Sequence, residues 1–170
     1  ACAAADAPKR PNLLWISTED ISPDMHCYGA AYAVTPNLDP LASQGVMFER
    51  AFSTAPVCSP SRDSIITGMY ASSVGGHNHR SDIVPGPEVK CFTEYLRAAG
   101  YYCTNNAKTD YNFPSPPSAW DASGPHAHWR NRPTKDTPFF AVFNTNTTHE
   151  GHAMDLNGNY THVTDVLKEK

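Results

Sequence analysis

Short apolar runs alternate along this chain with stretches of helical periodicity, and that alternation sets the expected elements. Asn12-Leu13-Leu14-Trp15-Ile16-Ser17 is an apolar run of strand length, which predicts a buried strand stopping at Thr18-Glu19-Asp20. Residues 35–45 predict a short helix, with Thr35 as N-cap, Pro36 and Pro40 confined to the first turn, and Gly45 as the stop. Residues 46–52 predict a second strand, and residues 60–67 a helix ended by Gly68. Between 88 and 99, Phe92, Tyr95, Leu96 and Ala99 recur at helical spacing before Gly100. Residues 101–105 read as a strand running into Asn106-Ala107-Lys108, and 110–136 as a long loop rich in Pro, Asn and Ser. The clearest buried strand is 138–144, which opens onto Thr147-Thr148-His149.

Strands alternating with helices imply an α/β fold: a mixed, largely parallel sheet flanked by helices. Ligands of such sheets sit beyond the carboxyl ends of the strands. Three predicted strands end in Glu19-Asp20, in Lys108 and in His149. That convergence suggests one polar site for a cation and an anion, against the plain alternative that strand ends are polar in any sheet.

Composition narrows the partners. With 170 residues, 40% apolar and 18% charged, the chain has the make-up of one globular domain. The net charge of -4 and the scattered Lys and Arg give no basic stripe, so no nucleic-acid partner is expected. No apolar stretch approaches the roughly 18 residues of a transmembrane segment. The fifteen prolines imply long loops between short elements.

Five cysteines without a C-x-x-C pair argue against zinc or a dense disulfide framework, leaving Cys91 and Cys103 as the candidate bridge. The pairs His77/His79 and His126/His128 read as solvated loop residues rather than metal ligands, with His77, His79 and Arg80 placed to line a substrate pocket. Asn146-Thr147-Thr148 and Asn159-Tyr160-Thr161 fit the glycosylation sequon. Residues 1–9 are Ala-rich and read as the remnant of an export leader or a linker, and Cys2 as a candidate lipid attachment point. The expected location is therefore periplasmic or extracellular.

The most informative segment is Cys58-Ser59-Pro60-Ser61-Arg62-Asp63-Ser64-Ile65-Ile66-Thr67-Gly68. It resembles the C-x-P-S-R signature of the formylglycine-dependent sulfatases of the alkaline phosphatase superfamily, with Ile66 where Leu is usual. The resemblance extends over most of the chain. It includes Arg10 to Ile16, Glu19-Asp20, Cys27-Tyr28-Gly29, Thr35 to Ala42, Gly45 to Phe48, Ala107-Lys108-Thr109-Asp110 and Thr148-His149-Glu150. Its flavour is nearest the bacterial heparan N-sulfatase-like branch.

The resemblance implies that a maturation enzyme oxidises Cys58 to Cα-formylglycine, whose hydrate attacks the sulfur of a sulfate ester or sulfamate. Arg62 would hold the nucleophile's oxygens or the sulfate, and Lys108 would neutralise charge on the sulfate or leaving oxygen. His149 would hydrogen-bond the sulfate or protonate the leaving group. Calcium would be held by Glu19, Asp20 and the modified Cys58. A sulfated small molecule or glycan is the implied substrate. The alternatives are a phosphonate or phosphodiester hydrolase of the same type, and an inactive remnant.

Three departures stand out. Glu19 replaces the usual first Asp, and Asp110 occupies the place of a common histidine, which leaves His149 as the better leaving-group acid. The chain is also short for the family, so residues 10–170 read as the incomplete N-terminal portion of a catalytic domain, and low stability and activity are expected of it.

Overall fold

The computed structural model describes residues 10–153. The leader reading of 1–9, Cys2 and the Asn159 sequon lie outside these residues. Two compact units are present: one comprises residues up to Ser17 together with 53–144, the other 18–52 and the residues from Thr145 onward.

The first unit carries the sheet. Its strands are β1 (Leu13–Thr18), β2 (Tyr102–Asn106), β3 (Ala122–Ser123) and β4 (Phe139–Thr145), in the order β1-β4-β2-β3. Strand β2 pairs in parallel with both β3 and β4, Cys103 standing opposite Phe140 and Thr104 opposite Ala122. The expected α/β class, a parallel sheet with flanking helices, is what the chain forms. Two helices of this unit are α2 (Cys58–Thr67) and α3 (Phe92–Ala98). Gly68 ends α2 in the left-handed conformation, φ 68°, its N–H donating to the Ser64 carbonyl. Helix α3 starts later than the periodicity suggests, because Glu94 accepts the Cys91 N–H at 2.8 Å and fixes the start there.

The core of this unit joins helix to sheet: Ile66, Cys91, Cys103, Phe113, Trp120 and Phe140 form one buried cluster. Trp120 stacks on Phe140 with ring centres 6.2 Å apart, and Phe92 meets Phe140 edge-on at 5.2 Å. Cys91 and Cys103 are free thiols within this cluster rather than a disulfide. Burial pushes both thiols up to about 12, so they behave as small apolar side chains.

Two further expectations differ. Strand β1 forms, yet Leu14 is 57% and Ile16 65% exposed, so it is an edge strand with open faces rather than a buried one. Within the loop 110–136, the short strand β3 forms because the Asp121 and Gly124 N–H groups donate to Cys103 and Asn105 carbonyls.

In the second unit, α1 (Leu38–Gln44) starts after Asn37. Thr35 does not cap it through its hydroxyl, which accepts from the His26 N–H and donates to the Asp39 carboxylate. Its carbonyl instead takes the N–H groups of Leu38 and Asp39. Residues 46–52 form no strand: no partner pairs with them among the described residues, and Val46, Phe48 and Phe52 are largely exposed. A strand needs a neighbour to satisfy its backbone, and apolar content alone did not supply one. A short helix, α4 (Glu150–Ala153), follows β4. No helix of the described residues is long and apolar enough to cross a membrane.

Candidate active site

Cys58 is the first residue of α2, preceded by Val57 in extended conformation. Pro60 falls in the first turn, where its missing N–H removes no helical bond. The first helical hydrogen bond runs from the Ser61 N–H to the Val57 carbonyl. The Cys58 side chain therefore stands at the positive end of a ten-residue helix.

Lys108, in the loop after β2, reaches this end of the helix. Its Nζ lies 3.6 Å from Cys58 Sγ and 3.7 Å from Asp110 Oδ2, and its side chain is only 12% exposed. Asp110 also accepts from Ser59 Oγ at 3.2 Å and from Arg80 Nε at 3.2 Å. Burial by itself would push the Asp110 carboxyl up. The Arg80 hydrogen bond and charge, the Lys108 charge and the Ser59 hydroxyl outweigh that effect and hold it below the usual aspartate value. Asp110 is thus an ionised anchor for two cations and has no proton to give a leaving group near neutral pH. Because the Ser59 hydroxyl donates to Asp110, the 3.2 Å contact between Ser59 Oγ and His79 Nδ1 assigns the proton on that ring nitrogen to His79.

Arg62 is on the next turn of α2 and faces the sheet. Its Nε donates to the Thr109 carbonyl at 2.6 Å and its Nη2 to the Lys108 carbonyl at 2.6 Å. Nη2 also reaches Asn144 Oδ1 at 3.3 Å. These donors clamp the loop that carries Lys108, so Arg62 positions that loop. Asn144 and Asn105 complete the clamp. Asn144 Nδ2 donates to Asn105 Oδ1 at 3.0 Å, and Asn105 Nδ2 donates to the Lys108 carbonyl at 3.1 Å. Sequence reasoning passed over both asparagines and Ser59. The available signal was an amide side chain near the carboxyl end of each of two sheet strands, where an unpaired polar group would be costly.

The second unit brings Glu19, Asp20 and His149 together. Glu19 is 7% exposed, its N–H donates to Thr148 Oγ1 at 3.0 Å, and a carboxylate oxygen of Glu19 lies within 4.8 Å of a His149 ring nitrogen. Asp20 Oδ2 accepts the Glu150 N–H at 3.0 Å. The Gly151 N–H donates to His149 Nδ1 at 3.1 Å, which leaves the hydrogen of a neutral imidazole on Nε2. Of the histidines set aside as loop residues, His128 caps the turn at Trp129, its Nδ1 accepting the Arg130 N–H.

This arrangement can hold negative charge at the start of α2 and keep one lysine and one arginine on a shared carboxylate. Comparison with known proteins gives it a family. The sulfatase family model matches residues 11–169. The chain belongs to the sulfatase family. It is 49% identical over 163 residues to an ulvan-active sulfatase of Formosa agariphila, covering 89% of this chain and 27% of that relative. In fold it is similar to a protein solved in complex with its substrate D-glucosamine-2-N,6-O-disulfate. That match has a TM-score of 0.71 at 23% identity, over 84% of this chain and 35% of the other. It is also similar to the phosphonate monoester hydrolase of Agrobacterium radiobacter, at TM-score 0.55 and 29% identity, over 79% and 26% of the two chains. The chain thus spans between a quarter and about a third of the length of these proteins.

Proposed function

We propose that this sulfatase-family chain carries the nucleophile end of a site that hydrolyses sulfate esters or sulfamates of sulfated glycans, with Cys58 as the residue converted to formylglycine. The observation that carries the reading is the Lys108 ammonium 3.6 Å from Cys58 Sγ, at the first residue of α2, within an intact C-x-P-S-R run. An anion at this position meets both the helix N-terminus and a sheltered cation. The hydrated aldehyde supplies an oxygen nucleophile where the thiol alone is a modest one toward sulfate. Lys108 holds the negative charge that develops there, and Arg62 fixes Lys108 through its backbone. His149, with its hydrogen on Nε2, would hydrogen-bond an oxygen of the sulfate.

The donor set of the second unit fits calcium. Glu19 and Asp20 are adjacent hard-oxygen carboxylates, Glu19 is buried, and the hydrogen bond to Asp20 uses Oδ2 and leaves Oδ1. Glu19 and Asp20 would hold the ion, which would polarise a sulfate oxygen.

Peptide mass spectrometry of the chain co-produced with a formylglycine-generating enzyme tests the proposal. The expected result is the thiol-to-aldehyde mass loss on the peptide carrying Cys58, followed by release of sulfate from an aryl sulfate. Unmodified Cys58, under conditions that convert a control sulfatase, would undercut the reading and favour a non-catalytic remnant. The likeness to a phosphonate monoester hydrolase supports a second reading. Faster turnover of an aryl phosphonate than of the matching aryl sulfate would select it.

A further inference from the structure

We propose that Arg80 determines specificity by binding a second anionic group of the substrate, a carboxylate or further sulfate on the same saccharide, beside the sulfate held at Cys58 and Lys108. The inference rests on the sulfatase reading of this site and names the class of substrate it takes. Arg80 is bound to Asp110 through Nε at 3.2 Å and Nη2 at 3.5 Å, while its side chain is 65% exposed. Nη1 has no partner among the described residues, so one edge of the guanidinium is anchored and the other faces outward. That is the geometry of a pre-oriented anion binder, because the ordering cost is already met before a ligand arrives.

An exposed ion pair is worth only about 0–1 kcal/mol and would not hold a loop by itself. The loop is held from beneath. Buried Asn112 donates through Nδ2 to the Gly76 carbonyl at 2.6 Å and accepts the Ser81 N–H at 3.0 Å through Oδ1. Its carbonyl takes the Ile83 N–H at 2.7 Å, and its own N–H donates to buried Asp63 at 2.8 Å. One side chain and its backbone therefore clasp residues 76–83 to α2. Three non-glycine residues of this assembly sit at left-handed φ: Arg80 at 51°, Asp82 at 47° and Asp110 at 45°. Such conformations persist only where surroundings over-determine them, and they gather at binding sites.

Charge points the same way. Asp110 offsets one of the two cations it joins, and the Arg62 donors are engaged with the Lys108 and Thr109 carbonyls. Lys108 and Arg80 thus stand side by side on one carboxylate, two cations on a rigid frame. Lys108 Nζ lies 3.6 Å from Cys58 Sγ and 3.7 Å from the Asp110 carboxylate that holds Arg80 at 3.2 Å, so the two anion positions are near neighbours. The two anionic groups of the ligand must therefore lie on one or adjacent sugar rings.

The test uses the full chain carrying Cys58→Ala, so that no turnover intervenes. Calorimetry measures binding of three probes: a monosulfated neutral disaccharide, a monosulfated disaccharide with a uronate carboxylate, and a disulfated neutral disaccharide. At least one dianionic probe is expected to bind about tenfold tighter than the neutral one, the least that one charge-assisted contact supplies. Arg80→Asn, which tolerates the left-handed φ, is expected to collapse that ratio toward one. Asp110→Asn, which frees the guanidinium, should reduce it. Tighter binding of the uronate probe alone identifies a carboxylate, and of the disulfated probe alone a second sulfate. An unchanged ratio in Arg80→Asn, no ratio in the parent, or no measurable binding of any probe overturns the proposal. Failure of Cys58 conversion or of sulfate release would sink the proposed reaction and leave this binding result standing.

Discussion

At the scale of single residues, the site separates groups that meet negative charge from groups that hold those groups in place. Under the proposed reaction Lys108 belongs to the first kind. Lys108→Ala in the matured protein is expected to lower kcat by about a hundred- to a thousandfold, the usual cost of removing one preorganised donor. Steady-state kinetics on an aryl sulfate checks this, and a loss confined to KM would place Lys108 outside the reacting centre. Asp110 belongs to the second kind, and its ionisation has a defined sign. Its folded value lies below the unfolded one, so its stabilisation is complete above the unfolded value of about 3.9 and is lost as pH falls through the folded value. Denaturant unfolding of the parent and of Asp110→Asn should therefore show a gap at neutral pH that closes in acid below about pH 4. A gap independent of pH would assign the contribution to packing instead.

At the scale of elements, the clasp of residues 76–83 can be tested through a glycine. A Cβ at Gly76 would stand 2.7 Å from Asp63 Oδ2 and 3.1 Å from Ile83 Cδ1, both held in place by their surroundings. Gly76→Ala is thus expected to destabilise by about 1–3 kcal/mol, in the range of overpacking, and to loosen Arg80 with it. Hydrogen exchange confined to faster protection loss in 76–83 would show this, whereas uniform loss would mean the core, not the loop, gave way. This clasp was not legible in the sequence: Asn112 sits in a Pro-, Asn- and Ser-rich stretch that reads as loop, and its partners Gly76, Ser81 and Ile83 all lie far back along the chain. Helix α2 and strands β2 and β4 were legible, because Gly68 and the apolar runs are local signals. The false strand at 46–52 and the late start of α3 have a common cause. Apolar content and periodicity report the side chains, while pairing and capping are settled by which backbone groups find partners. The positions of Cys58 and Lys108 were legible from their motif. The turning of Arg62 toward the Lys108 and Thr109 carbonyls was not, since spacing along a helix gives a face but not a hydrogen-bond partner.

At the scale of the whole molecule, the family and the exposed surface bear on the same question. The chain spans 27% of the ulvan-active relative, and within the described residues its edge strand β1 shows apolar side chains on both faces. Leu14 and Ile16 are 57% and 65% exposed, while Leu13 and Trp15, on the opposite face, are 38% and 40% exposed. Strands of α/β sheets are ordinarily covered on both faces, and an exposed apolar edge is a template for association. The isolated 170-residue chain is therefore expected to bind an apolar-surface dye and to self-associate as its concentration rises. Ile16→Lys should lessen both effects, because it places a charge on the most exposed apolar side chain of β1, outside the contacts described around Cys58. Light scattering and dye fluorescence across a concentration series decide the matter. A monomeric, dye-silent parent would mean that β1 is covered in solution, and the low stability expected from its open faces would have to be abandoned. Association that Ile16→Lys leaves untouched would move the sticky surface away from β1 to the exposed Val46, Phe48 and Phe52 of the second unit.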